Sequence, residues 1–159
     1  MDCDFSMPPA DVPRLLVAIE QGADAAVGSR FAKGGVAKEG GGRESMAAIV
    51  LSKILNIALA VLLTSKFRDW TSGFIAIRTD VVRTLGLRGD YGEYFMDLAY
   101  RAILGGYRVV ELPYVSVPRV AGESKTAPDL KTLLKRGPGY LGTLLRMVGL
   151  RLGRLLRLR

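Results

Sequence analysis

An α/β fold is the architecture this sequence predicts, and three observations carry the prediction. Short apolar runs such as "ADAAVGSRF" (23–31) and "YRVVELPYVSVPR" (107–119) alternate with longer stretches whose apolar residues recur at helical spacing. Glycine and proline punctuate the joints between them. Apolar residues make up 49% of 159 positions, enough for a chain of one ordinary domain to bury a core.

Taken in order, "PPADVPRLLVAIEQG" reads as a turn into a short helix, with Asp11 and Pro13 near its start and Gly22 after its end. Residues 23–31 read as a buried strand covered on both faces. "AKGGVAKEGGGR" (32–43) holds five glycines and three cations and reads as a mobile loop. A helix is expected over 44–64, then a loop entering a strand at about 73–78. "EYFMDLAYRAILGG" (93–106) has helical spacing and a glycine stop, and 107–119 is β-rich with prolines suited to an edge or a strand end. "RVAGESKTAP" is a polar loop, and a basic tail follows.

Composition excludes several chemistries. There is no histidine, so histidine general bases, Ser-His triads and His-ligated zinc are absent. A single cysteine, Cys3, excludes an internal disulfide. The net charge of +8 is uneven: residues 129–159 carry eight Lys/Arg against one acid, Asp129, while the first 128 residues are nearly neutral. "MAAIVLSKILNIALAVLL" (46–63) has the length of a membrane span but places Lys53 and Asn56 near its centre, where a lysine costs about 2.5–3.5 kcal/mol. Ser45, Ser52, Lys53 and Asn56 share one stripe, so the segment reads as an amphipathic helix. In the tail, Arg151, Arg154 and Arg157 recur among leucines, the pattern of a helix lying on a membrane surface.

Three constellations carry chemistry. Asp2 and Asp4 alternate in a strand running into a loop, so their carboxylates share a face, and hard oxygens of this kind suit Mg²⁺ or Mn²⁺. The bland alternative is a solvated N-terminus. Arg30, Arg43, Arg119 and Lys125 fall at strand ends and loops, where an open α/β sheet takes its ligand, and arginine forks suit phosphate. Against that stands the reading of four surface cations among twenty-three. In "DWTSGF" (69–74), Asp69, Thr71 and Ser72 can cap backbone groups in a tight turn and Gly73 permits close approach, although a purely structural turn fits the spacing as well.

The order of these pieces is what discriminates. "MDCDFSMPP", "ADAAVGSRF" with its glycine loop, "SKILN", "RDWTSGF", "GYRVVELP" and "RVAGESK" together resemble the dolichol- or polyprenol-phosphate mannosyltransferases, inverting enzymes of glycosyltransferase family 2 with a GT-A fold. The resemblance covers residues 1 to about 126. It implies a partial GT-A, Rossmann-like domain over 1–128, with a mixed sheet and flanking helices, lacking the nucleotide-binding half that precedes the D-x-D in the family. Residues 129–159 would then be a basic amphipathic tail on an anionic membrane surface. On matching residues, Asp2 and Asp4 imply a site for the divalent ion and the donor diphosphate, with Ser6 a further ligand. Arg30, Arg43, Arg119, Ser124 and Lys125 imply the acceptor-phosphate site, with Asp4, Arg30 and Arg119 at the chemistry and Asp69, Thr71, Ser72 and Gly73 shaping the acceptor side. Arg43 matches only approximately, because its distance to Ser52 is longer than the family's. Met7 stands where the family usually has histidine and Cys3 where it often has alanine; neither change removes a charge.

The function implied is transfer of mannose from GDP-mannose to a polyprenyl (dolichyl) phosphate at the cytoplasmic membrane face. Alternatives are glucose or another sugar from a UDP donor, or a non-catalytic fragment that binds lipid phosphate. Nucleic acid is not expected as a partner, since Tyr140 stands alone among the tail's cations. A sheet lacking its first strands exposes an edge and an apolar face, so weak activity is expected of this chain alone.

Overall fold

The structure, a computed structural model, describes residues 6–37, 46–64, 66–117 and 130–157. Its centre is a three-stranded mixed sheet of β1 (Ala25–Ser29), β2 (Ile75–Ile77) and β3 (Val109–Pro113), in the order β2-β1-β3. β1 runs antiparallel to β2, with Ala26 opposite Ala76, and parallel to β3, with Ala26 beside Val110. All five β1 residues are buried, as expected of a strand with partners on both edges and cover on both faces. Pro113 closes β3, where a missing N–H costs the ladder nothing.

Strand alternation sorts the core into two layers. On one face Ala26, Ala76, Val110 and Leu112 meet helix α1 (Val12–Glu20) through Leu15, Val12, Ala18 and Ile19, with Met7, Phe74 and Tyr114 in the same cluster. Pro13 pre-sets the first turn of α1, as the sequence predicts. On the other face Val27, Ile75 and Val109 meet α2 (Met46–Leu62) and α4 (Glu93–Leu104). Leu59, Leu63, Phe67, Trp70, Phe95, Met96, Ala99 and Tyr100 fill that layer. A short helix α3 (Thr79–Leu85) joins β2 to α4 and was not legible in advance, since seven residues give too little periodicity.

The basic tail forms α5 (Leu130–Arg157), a 28-residue helix with Pro138 inside it. Tyr140, Thr143, Leu144, Met147 and Val148 lie on one helical face and pack on α4, and Met147 is fully buried with Val27 and Leu59 in one cluster. Its arginines reach neighbouring helices. Arg151 Nη1 donates to the carbonyl of Leu62, at the end of α2, and Arg154 Nη1 donates to the carbonyl of Leu104, the last residue of α4, at 3.0 Å. Cations at helix C-termini satisfy orphan carbonyls and complement the dipole. Arg146 lies 3.7 Å from the buried Asp97, which also accepts from Arg101 Nε at 2.7 Å. Among the described residues, no helix is long and apolar enough to cross a membrane.

Candidate active site at the carboxyl end of the parallel strands

β1 and β3 point their carboxyl ends the same way, and Arg30 is the first residue beyond β1. This is where an open α/β sheet collects its ligand-binding loops. Opposite Arg30 lies the turn between α2 and β2, which carries Asp69, Thr71, Ser72 and Gly73.

Asp69 is fully buried and organises the pair. Its Oδ2 accepts from the Arg30 backbone N–H at 2.8 Å and from Arg30 Nε at 2.9 Å, and its Oδ1 accepts from Nη2 at 2.7 Å. Nη2 also donates to Thr71 Oγ1 at 2.8 Å. This fork-to-fork ion pair, with a backbone donor added, gives a buried carboxylate the partners it needs. The guanidinium plane is thereby fixed, while the Arg30 side chain stays about one-fifth exposed at the strand end. Phe31 stacks beside it, 5.4 Å from guanidinium carbon to ring centroid.

The turn is stitched to the sheet from below. Ser72 Oγ donates to the carbonyl of Gly28 and accepts from the Phe74 N–H at 3.2 Å. Gly28 lets the Phe74 ring lie against β1: a Cβ there would meet Phe74 Cδ1 at 2.5 Å. Gly73 has φ +68°, a left-handed conformation that glycine takes without strain. A Cβ at Gly73 would meet nothing nearer than Met7 Cε, at 3.8 Å, so conformation rather than room selects glycine there. Tyr114, just beyond β3, is buried against Phe74 and hydrogen-bonds Ser72 and Ser116. Burial pushes its phenol above the ordinary value; nearby Arg30 pulls the other way and Asp69 adds to the rise.

Two further side chains join the turn. Asn56 of α2 accepts from the Trp70 N–H and donates to Thr71 Oγ1, and Glu111 of β3 accepts from the Arg68 and Asp69 N–H groups. Neither stands among the residues the sequence singles out for a site. The signal for Glu111 is an acid in the centre of "VVELP", and in the fold it lies beside Val27 of β1.

The structure therefore gathers Arg30, Asp69, Thr71, Ser72 and Gly73 at one strand end. Ser6 comes to the same end, its carbonyl accepting from the Val117 N–H at 3.2 Å. Asp2, Asp4, Arg43, Arg119, Ser124 and Lys125 lie outside the described residues. Among the described residues there is no group of three His, Cys, Asp or Glu that could hold a metal ion.

Comparison with known proteins gives consistent relatives. The chain is 38% identical over 128 residues to the polyprenol monophosphomannose synthase of Mycolicibacterium smegmatis, covering 79% of this chain and 47% of that protein. It is 35% identical over 134 residues to the dolichol-phosphate mannosyltransferase of Pyrococcus furiosus, covering 79% and 34%. With the undecaprenyl-phosphate mannosyltransferase of Micrococcus luteus it shares 36% identity over 129 residues, covering 79% and 51%. The chain thus spans about a third to a half of the length of these curated relatives. No family model matches it.

Proposed function

We propose that this chain belongs to the family of polyprenyl- and dolichyl-phosphate mannosyltransferases, its relatives at 35–38% identity, and that it forms the acceptor-phosphate side of such an enzyme. The reaction is transfer of mannose from GDP-mannose to a polyprenyl phosphate, with inversion, at the cytoplasmic membrane face. The observation that carries the reading is Arg30, held in one plane by Asp69 and Thr71 at the carboxyl end of the parallel strands. An arginine immobilised in advance loses little further freedom when it receives a phosphate.

The chemistry makes modest demands on the protein. A polyprenyl phosphate is already largely ionised at neutral pH (second pKa about 6), so one of its oxygens attacks the anomeric carbon without a dedicated base. The new carbon–oxygen bond forms as the bond to the nucleoside diphosphate breaks, and the leaving group departs as an anion. A sequence without histidine suits this route. What remains is to hold two anions together and to receive the charge of the leaving diphosphate. Arg30 serves the first need, joined in this reading by Arg43, Arg119, Ser124 and Lys125. Asp2 and Asp4, with Ser6, offer the hard oxygen donors that suit Mg²⁺ or Mn²⁺, and the described position of Ser6 at this strand end fits that placement. Such an ion, when bound, neutralises the departing diphosphate.

Membrane contact is supported by the outer surfaces of two helices. α2 exposes Ile54, Ile57 and Val61, the last at 74%, and α5 exposes Leu141, Leu145, Leu152 and Leu156. Apolar residues in such rows suit the interface of a bilayer.

The test is transfer of radiolabelled mannose from GDP-mannose to undecaprenyl phosphate, with and without Mg²⁺, by the chain supplied with the nucleotide-binding half that the family resemblance implies and by the same protein carrying Arg30→Ala. Metal-dependent label in the lipid, reduced about a hundredfold or more by the substitution, is the expected result. Transfer from a UDP-sugar alone would replace the donor and keep the acceptor. Headgroup binding without transfer from either donor would leave a non-catalytic lipid-phosphate binder.

A further inference from the structure

Arg30 is fixed by Asp69 and Thr71, but the turn bearing those residues is itself held by side chains from two other elements. Glu111 Oε2 accepts from the Arg68 N–H at 3.0 Å and Oε1 from the Asp69 N–H at 2.9 Å. Asn56, only 5% exposed, accepts from the Trp70 N–H at 2.6 Å through Oδ1 and donates to Thr71 Oγ1 at 2.9 Å through Nδ2. Three consecutive backbone donors therefore end on side-chain oxygens from β3 and α2. A turn commonly satisfies such groups with its own backbone or with water. Here they are satisfied by anchors on rigid elements, and the last link, Thr71 Oγ1, receives Asn56 and Arg30 together.

We propose that Glu111 and Asn56 are positioning residues for Arg30: acting through residues 68–71, they set where the Asp69 carboxylate and the Thr71 hydroxyl stand, and these set the plane of the guanidinium. The consequence for substrate rests on the acceptor-phosphate reading above; the positioning itself does not. A carboxylate that bridges two backbone donors is not replaceable by its amide. In Glu111→Gln one oxygen becomes an NH₂ group facing an N–H, at unchanged volume. In Asn56→Leu the buried Trp70 N–H and the half-buried Thr71 hydroxyl each lose a partner.

The experiment reads Arg30 directly. In ¹⁵N-labelled protein the Arg30 Nε–H resonance, assigned by its loss in Arg30→Lys, is followed for hydrogen exchange. In parallel, binding is measured to phosphatidylcholine vesicles containing undecaprenyl phosphate and to vesicles containing undecaprenol. Exchange protection of the Arg30 Nε–H should fall about tenfold in Glu111→Gln and in Asn56→Leu, and preference for the phosphate headgroup should fall about tenfold with it. Glu111→Asp, which keeps both acceptor oxygens, should retain part of each, and it decides the matter should Glu111→Gln fail to fold. A purely structural staple would lower the unfolding midpoint and leave the Arg30 signal of the folded protein unchanged, and that result overturns the proposal whatever the vesicles show. Should the unsubstituted protein not distinguish phosphate from alcohol, the acceptor reading falls, while the exchange data still decide the positioning.

Discussion

Arg30 and Asp69 are thirty-nine positions apart in sequence and form one unit in the fold. Their positions, at the end of a strand and in a turn, are legible because each sits in a short polar motif that interrupts an apolar run, whereas their pairing is not. Asn56 and Glu111 are less legible, since all their partners but the Thr71 hydroxyl are backbone N–H groups, which every residue but proline carries and which leave no trace in sequence. Tyr114 belongs with them: an aromatic after a strand gives no sign that it lies under an ion pair. Its buried phenol titrates above the ordinary 10.0 of the unfolded chain. The folded state therefore holds that proton more tightly, so its contribution to stability is complete below about pH 10 and is lost as pH rises through the folded value. Tyr100, raised by burial in the same direction, contributes to the same alkaline decline. Tyr114→Phe should accordingly lessen the fall in urea midpoint between about pH 8 and pH 11, leaving a remainder due to Tyr100. An unchanged pH profile would contradict the burial of the Tyr114 phenol.

Among the elements, β1 and α4 were readable from apolar spacing, and α5 was readable as a helix but not in its packing. Leucine alternating with arginine looks the same whether the arginine faces a lipid phosphate or a helix carbonyl, because the charge and reach are identical. In the fold, Arg151 and Arg154 close the C-terminal ends of α2 and α4. The residues that set the orientation are Thr143 and Met147, both buried, and neither stands out in a run of leucines. Met147 makes the attachment measurable. Truncation in Met147→Ala should cost about 2–5 kcal/mol, read from urea unfolding, because the side chain is enclosed between α2, α4 and β1. A loss below about 0.5 kcal/mol would place α5 away from the core, as a surface substitution costs no more.

At the scale of the whole molecule, one sheet carries α1 on one face and α2, α4 and α5 on the other, so the carboxyl end of the strands and the exposed apolar rows of α2 and α5 belong to one body. Association with vesicles tests whether those rows meet lipid. Ile57→Glu, placed at the exposed surface of α2, should weaken binding to phosphatidylglycerol vesicles severalfold without altering the unfolding midpoint. Equal binding by both proteins would move the contact elsewhere. A different consequence follows from the place of Met147 beside Val27 in one cluster. A ribosome delivers β1 before α5, so Val27, Leu59 and Trp70 emerge well ahead of the side chain that covers them. Until α5 follows, that apolar layer is open to water, to chaperones or to a nearby bilayer. Whatever shelters the nascent chain in that interval bears on its yield as directly as any contact in the finished fold.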